Sequence, residues 1–400
     1  MKSIKWWLII TIILSSIFGQ ELNLSTLTEL IVQNNITLKL SKKEVDVKLA
    51  ELEQSKAYEN PSIEFETGLG NETEVSGMLT QSITMGGKRK HNIRLHELEL
   101  SIAQLEYENL KNQVFTDASV IFVEILHLQA CKTLQEKRIE ISEELLFTVE
   151  KKVVAGKLST AEKSRAKIQL FQEKSSLRKI DRSLDVYWNN LFVFFGDSKQ
   201  LYTIAIGELT KISTDLLNVT IENSYDYQQA KLQIEIQNIN IELEKSNRIP
   251  DIELGAGIKQ VDSSENTFQF GVSIPLPIFN RNKGNIKRSI IEYDKSQFLL
   301  AELSINLQTD IFNIKTILDD LKFEINTLTN EIIPEANSAY SIIKDGYING
   351  RFTYLDVVDA KEMWFQSQKQ YLDALTEYHN QRLRLNGISG NANHNLLGEN

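Results

Sequence analysis

The residues that most often carry chemistry are few in this chain and stand far apart. Its 400 residues include five histidines and a single cysteine, Cys131. The histidines show no metal-ligand spacing with one another, because even the nearest two are five positions apart on a predicted helix. They are His91, His96, His127, His379 and His394. We therefore expect no metal site in this sequence.

Other motifs with a chemical mechanism are also missing from the sequence. It has no nucleotide-binding loop or catalytic triad motif, and Gly68-Leu-Gly70 is too short to cradle a phosphate. Cys131 cannot form an internal disulfide and sits in an apolar helical stretch, which indicates packing. Most acidic residues alternate with lysines, as on solvated helix faces. We expect neither an enzyme nor a cofactor.

The net charge and the distribution of charged residues argue against two classes of protein. The formal net charge is −10, which argues against a nucleic-acid partner, since phosphates favour basic surfaces. Charged residues make up 24% of the sequence and are spread along it, which excludes a helical membrane bundle.

Residues 1–19 have the layout of a secretory signal peptide. Lys2 and Lys5 precede an apolar run from Trp6 to Phe18, and Gly19 is a small residue where cleavage could occur. The alternative is an uncleaved anchor, although the run is short for a membrane span. We expect no later apolar run of that length, so the exported chain is either soluble or crosses the outer membrane as strands.

The elements that follow are duplicated along the chain. The segment 51–65 resembles 242–254, and their prolines, Pro61 and Pro250, are 189 positions apart. The segment 154–167 matches 348–361, with Gly156 and Gly350 separated by 194 positions. Several matches at a nearly constant offset indicate an internal repeat.

The duplication predicts two repeats, at 20–207 and 208–390, followed by a tail at 391–400. Each repeat reads as a helix, two strands, a very long helix, a glycine turn and a further helix. The glycine turns, near 156 and 350, are the predicted tips of two helical hairpins.

The strand segments alternate with a period of two. They are predicted at about 61–70, 75–85, 251–261 and 267–278, the length of a tilted transmembrane strand. Acidic residues and glycines on one face suit a wet lumen, and aliphatic or aromatic residues on the other suit lipid. The alternative is a half-buried sheet in a soluble domain. Four strands cannot close a barrel, so a membrane location requires several copies, and three would supply twelve strands.

The predicted helices are very long. No proline or glycine interrupts 88–155, a stretch of about 100 Å at 1.5 Å per residue. The second copy, at about 285–349, contains Pro334, where we expect a kink. A heptad seam for helix packing runs through it. It consists of Leu307, Ile311, Ile314, Leu318, Leu321, Ile325, Leu328 and Ile332.

Two sequence motifs carry a resemblance to a known family. The run GVSIPLPIFNRNKGN at 271–285 and the run MGGKRK at 85–90 resemble the strand-to-helix crossings of TolC-like outer-membrane efflux proteins. They are most similar to the heavy-metal branch, the CzcC and CusC relatives. The resemblance covers essentially the whole mature chain. It implies a mainly α protein with a transmembrane β part, in which a homotrimer forms a twelve-stranded barrel continued into a long periplasmic α-helical barrel.

The resemblance also implies a passive function in the outer membrane of a Gram-negative-type cell. The chain would be the exit duct for an inner-membrane pump of the resistance-nodulation-division (RND) type, joined through a periplasmic adaptor, with metal cations as cargo. Alternatives within the family are a duct for multidrug efflux or for type I protein secretion. From another class, a periplasmic coiled-coil scaffold stays open. The expected partners are two further copies, the adaptor, the pump and outer-membrane lipid.

Two functional regions carry over from the family by position. Tyr347, Asp356 and Asp359 match residues that constrict the periplasmic entrance, and the two aspartates, three apart, share one helical face. Phe352 occupies the place of the family's basic gate partner. The hairpin tips would dock the adaptor. They comprise Gly156, Lys157, Leu158 and Ser159 in the first repeat and Gly350, Arg351, Phe352 and Thr353 in the second.

Overall fold

The computed structural model describes residues 20–69, 73–196, 202–212, 219–261 and 266–390. The predicted signal at 1–19 and the predicted tail at 391–400 lie outside these ranges. Two compact units are present. The sheet unit comprises the described parts of 39–110 and 221–307, and the hairpin unit those of 1–38, 111–220 and 308–400. Each unit therefore draws on both halves of the chain.

Eight α-helices and six strands are formed by the described residues. In chain order they are β1 Gln20–Leu22, α1 Leu24–Asn34, α2 Ile36–Ser55, β2 Ser62–Leu69, β3 Thr73–Ile83, α3 Lys88–Val154, α4 Thr160–Phe192, β4 Tyr202–Ala205, α5 Tyr225–Ser246, β5 Ile252–Val261, β6 Asn266–Ser273, α6 Lys283–Thr327, α7 Ile333–Ile348 and α8 Tyr354–Ile388. A π-helical turn, Leu328–Ile332, joins α6 to α7.

The sheet unit contains one antiparallel sheet in the order β2-β3-β5-β6. The two hairpins, one from each half of the chain, meet where Leu79 of β3 pairs with Ala256 of β5. Because paired residues share a face, the register sorts the side chains into two sets. Ile63 and Leu79 pair on one face, and Glu64 and Met78 pair on the other.

One face of the sheet is mainly apolar across all four strands and is exposed, although Gln81 and Gln260 also lie on it. Its exposed members are Ile63, Phe65, Val75, Leu79, Ile83, Leu254, Ile258, Phe268, Phe270 and Val272. The opposite face carries acidic and small residues, such as Glu64, Glu253 and Ser273. Met78 breaks the alternation because it is an apolar residue on the polar face. It lies beside Gly255 and Gly271, and a Cβ atom at Gly255 would clash with its side chain.

The strand bounds differ from the prediction at one end in particular. The fourth strand was expected to reach residue 278, but β6 ends at Ser273. Pro275 and Pro277 follow, and neither has the backbone N–H that a ladder requires. The other three strands begin and end within two residues of the expected positions.

The heptad seam holds over most of α6 and then shifts. Leu318, Ile325 and Leu328 are buried, whereas Ile332, expected in the seam, is 43% exposed. The buried stripe resumes at Ala336, eight residues after Leu328, because the π-helical turn adds one residue. This turn ends two residues before Pro334, which has no backbone N–H to donate and lies in the first turn of α7.

The hairpin unit is built from packed helices and one small sheet that the sequence did not predict. In this sheet β1 pairs in parallel with β4, and the side chain of Gln129 bonds both the N–H and the carbonyl of Ala205 at 2.9 Å. The helix α3 contains a stretch that is long and apolar enough to cross a membrane, contrary to expectation. Buried α3 residues such as Phe122 and Ile125 explain its apolar character by core packing.

Candidate functional site

The two hairpin tips are closed by the same backbone turn. At the first, Gly156 has φ +70°, its N–H bonds the carbonyl of Val153, and that of Lys157 bonds the carbonyl of Lys152. At the second, Gly350 has φ +79°, and the N–H of Arg351 bonds the carbonyl of Gly346. This pattern is a Schellman motif, which needs a left-handed residue and so favours glycine.

The predicted docking residues divide into an exposed set and an inward set. Lys157, Ser159, Arg351 and Thr353 are exposed, as are both tip glycines. Leu158 is partly buried and packs against the hydrophobic cluster beside the tips. Phe352, its repeat equivalent, is 40% exposed and lies against Gly346, in the space a side chain there would need. The apolar pair anchors the turns, and the polar residues form their outer surface.

Tyr347 lies inside this cluster. Its side chain is only 3% exposed and its ring meets that of Tyr354 edge-on, with centroids 6.4 Å apart. Burial raises the pKa of the Tyr347 phenol above its ordinary value. In the part of the chain that the structure describes, no group hydrogen-bonds its buried hydroxyl.

The cation that meets Tyr347 comes from the other hairpin. The ammonium of Lys152 lies 3.9 Å from the ring centroid of Tyr347 and donates a hydrogen bond to its backbone carbonyl. Arg351, four residues after Tyr347 in the chain, is exposed. Lys152 therefore links the end of α3 to the end of α7, a contact between the two repeats that the sequence did not predict.

The two candidate gate aspartates have different surroundings. The Oδ2 atom of Asp356 accepts from the backbone N–H of Thr353 at 2.8 Å and from its hydroxyl at 2.7 Å, which completes a capping box at the start of α8. The backbone hydrogen bond holds the pKa of Asp356 below its ordinary value. Asp359 is exposed on the next turn. Asp356 thus has a structural task that Asp359 lacks.

A buried charge cluster, not predicted from the sequence, lies among α3, α4 and α8. Lys361 and Glu173 are each 2% exposed, and Lys361 Nζ lies 2.7 Å from both Glu173 Oε1 and Ser142 Oγ. Arg138 bonds Glu173 at 3.3 Å and Glu362 at 2.6 Å. Two cations and two anions therefore balance one another, with Lys361 and Glu173 shielded from water and Glu362 at the surface.

A sequence signal for this cluster existed. Lys361 follows Tyr354 and Val357 by steps of three and four, so it occupies a core position of the α8 stripe. Glu173 likewise follows Ala166 and Leu170. A charged residue in an apolar stripe indicates either an interruption or a buried pair, and the pairing is decided by a helix far away in sequence.

A second polar cluster in the hairpin unit surrounds Cys131. His127 Nε2 lies 3.2 Å from Cys131 Sγ and 2.9 Å from Asp373 Oδ1, and Nδ1 lies 3.8 Å from Glu124. Burial alone would lower the pKa of His127, but its hydrogen bonds with Cys131 and Glu124, together with the charge of Asp373, raise that pKa to about 10. Cys131 is buried, as expected, but it also takes part in a polar contact.

Comparison with known protein families gives one match that spans the chain. Residues 27–197 and 216–391 match the family described as outer membrane efflux protein. The matched residues include both hairpin tips and all four strands of the sheet unit.

Individual relatives are distant but nearly full-length. The cobalt-zinc-cadmium resistance protein CzcC of Cupriavidus metallidurans is 25% identical over 377 residues, which cover 92% of this chain and 90% of the relative. The solvent efflux pump outer membrane protein SrpC of Pseudomonas putida is 22% identical, covering 92% and 85%. The crystal structure of CusC superposes with a TM-score of 0.80 at 17% identity, covering 92% and 91%. That structural likeness concerns the fold alone.

Proposed function

The chain belongs to the outer membrane efflux protein family, and we propose that it is the exit duct of a tripartite efflux system. It is an outer-membrane efflux channel of the TolC type, a family of passive channels. Three copies form the duct, a periplasmic adaptor joins it to an RND-type pump of the inner membrane, and metal cations pass through it.

The observation that carries the trimer is the exposed apolar face of a sheet with open edges. The outer hydrogen-bonding edges of β2 and β6 pair with no other strand of the described chain. Unpaired backbone groups cannot face hydrocarbon, so a sheet with Phe65 and Phe270 turned to lipid must continue into another copy. Three copies of four strands give a twelve-stranded barrel, within the known range.

An exposed heptad face on α6 supports the same assembly. Ile291, Phe298 and Ile305 follow one another at intervals of seven and are 55%, 76% and 63% exposed. Large apolar residues at that spacing form the seam of side-by-side helices. We propose that this seam packs on the helices of the next copy.

The polar face of the sheet supports cation passage. It carries Glu64, Glu66 and Glu253, which would face the lumen, while Glu74 is neutralised by Lys259 at 2.6 Å. Metal cargo is further supported by the similarity to CzcC, a cobalt-zinc-cadmium resistance protein. The alternative is drug or solvent efflux, which the similarity to SrpC, a solvent efflux pump protein, favours. Type I protein secretion is the remaining alternative within the family.

The tips and the residues beside them complete the proposal. The exposed side chains of Lys157, Ser159, Arg351 and Thr353 would contact the adaptor. Asp359, repeated in three copies, would form an acidic ring at the periplasmic entrance. Asp356, which completes the capping box, would lie one helical turn away. The contact between Lys152 and Tyr347 would hold the two hairpins together when the entrance is narrow.

The assembly can be tested in membranes. The protein should fractionate with the outer membrane as a heat-modifiable trimer and should form ion channels in a planar lipid bilayer. Cysteines that replace Phe65 on β2 and Phe270 on β6 should form cross-links between copies. A matched pair at Phe65 and Leu254, an edge and an inner strand, should give none. Recovery of the protein as a soluble monomer would refute the duct.

The cargo needs a separate experiment, because the duct could exist with another substrate. A strain lacking this chain should become sensitive to zinc, cobalt and cadmium salts, and complementation should restore resistance. Unchanged metal resistance together with sensitivity to organic solvents or drugs would transfer the proposal to the alternative cargo.

A further inference from the structure

We propose that Glu51, His96 and Glu99 form a binding site for a divalent transition-metal cation of the zinc type. The three side chains each offer one ligand atom, and these atoms all lie within 4.8 Å of one another. His96 Nδ1 is 3.1 Å from Glu99 Oε2. The site lies in the sheet unit and goes beyond the proposed duct function.

The local structure explains why these residues converge. His96 and Glu99 are three apart on α3, so they share one helical face. Glu51 supplies the third ligand from α2, which precedes the strands β2 and β3 in the chain, whereas α3 follows them. The adjacent residues Leu52 and Leu98 are buried, at 7% and 3% exposure, which fixes the faces that the two helices present. The ligand set therefore sits on rigid elements.

The chemistry of the set favours a borderline cation. One imidazole nitrogen and two carboxylate oxygens make up the kind of ligand set that proteins use for Zn²⁺. Mg²⁺ and Ca²⁺ prefer oxygen atoms alone and would gain little from His96. The side chains of Glu51, His96 and Glu99 are 41%, 24% and 30% exposed, so a cation can reach them from solvent.

The two carboxylates already attract a cation from the chain itself. Lys48 Nζ lies 2.9 Å from Glu51 Oε2 and 3.9 Å from Glu99 Oε2. This ammonium is on a long side chain that can swing into solvent, since it is 29% exposed. We infer that a divalent cation binds by displacing Lys48 from the carboxylates. Lys48 then acts as a competitor that lowers the affinity of the site.

The test uses the purified full-length protein in detergent with Zn²⁺ as the probe. Isothermal titration should show one saturable site per protomer, and X-ray absorption should show nitrogen and oxygen ligands only. His96→Ala should lower the affinity about tenfold to a hundredfold. His91→Ala, five residues earlier on the same helix, is the matched control and should leave it unchanged. Circular dichroism would verify that every variant keeps its fold.

Lys48→Met separates a metal site from a simple ion pair, because it removes the competitor and should raise the Zn²⁺ affinity severalfold. The proposal is overturned if no saturable binding occurs, if excess Mg²⁺ displaces the Zn²⁺, or if His91→Ala weakens binding as much as His96→Ala. An unchanged or lower affinity in Lys48→Met would refute the displacement step. These measurements involve no transport, so their failure leaves the duct proposal standing.

Discussion

The ammonium of Lys361 lies 2.7 Å from the carboxylate of Glu173, and both side chains are almost fully buried. The two residues belong to different hairpins of the chain, so the ion pair joins α8 to α4. Its repeat equivalent does not exist, because Lys167, which matches Lys361 at the offset of 194, is exposed. The duplicated halves have therefore diverged in what they bury.

Removing Lys361 should destabilise the hairpin unit strongly. Lys361→Met leaves Glu173 charged, buried and short of a partner, and such a loss costs about 3–5 kcal/mol. Lys167→Met is the matched control and should change the free energy of unfolding by less than about 0.5 kcal/mol. Denaturant titration in detergent measures both. Equal losses in the two variants would show that the buried pair has no special weight.

The capping box at the second tip should contribute more to stability than the equivalent residues at the first tip. Thr353 hydrogen-bonds the backbone of Asp356, whereas Ser159, its equivalent, makes no side-chain capping bond. Thr353→Ala should cost about 0.5–2 kcal/mol, and Ser159→Ala should be close to neutral. Thermal unfolding of both variants compares them directly. A larger loss in Ser159→Ala would contradict the assignment.

Replacing both gate aspartates should increase the conductance of ions through the periplasmic entrance. Asp356→Ala combined with Asp359→Ala removes the proposed acidic rings, so single-channel conductance should rise and block by multivalent cations should weaken. Glu162→Gln alters the residue that matches Asp356 in the first repeat and should leave conductance unchanged. Planar-bilayer recordings provide the measurement. Wild-type block in the double variant would remove the gate from these residues.

A charge on the apolar face of β6 should prevent insertion in the outer membrane. Phe270→Lys places an ammonium where we propose lipid, at a cost of about 2–4 kcal/mol near the bilayer midplane. Gln269→Lys alters the neighbouring residue on the polar face and should be tolerated. The amount of heat-modifiable trimer in outer-membrane fractions measures the effect. Similar yields of both variants would argue against the assigned faces.

The cluster at His127 predicts a pH-dependent contribution to stability. Its pKa is raised to about 10, so the stabilisation is fully present below its ordinary pKa of 6.5 and is lost as the pH rises through about 10. Asp373→Asn should therefore lower the melting temperature most near pH 6. The difference from the wild type should shrink above pH 10. A constant difference across that range would show that His127 is uncharged in the fold.

Local pattern in the sequence was sufficient to predict the long helices and the four strands of the sheet unit, but not β1 and β4. Period-two alternation placed the strands, and the absence of proline and glycine between 88 and 155 predicted α3. The tip glycines followed from the same logic, since a left-handed residue must close a helical turn. The resemblance to TolC-like proteins, drawn from two short motifs, is confirmed by the family match.

The tertiary structure decided which distant side chains meet. Lys361 lies in an apolar stripe of α8, but only the packing of α4 against it supplies Glu173. Lys152 contacts Tyr347 from the other helical hairpin. Glu51 comes close to His96 although two strands separate their helices in the chain. Periodicity specifies the face on which a residue lies and leaves open what that face contacts. Those contacts depend on long-range packing, which is why the sequence predicted the framework and the fold alone located the buried ion pair and the candidate metal ligands.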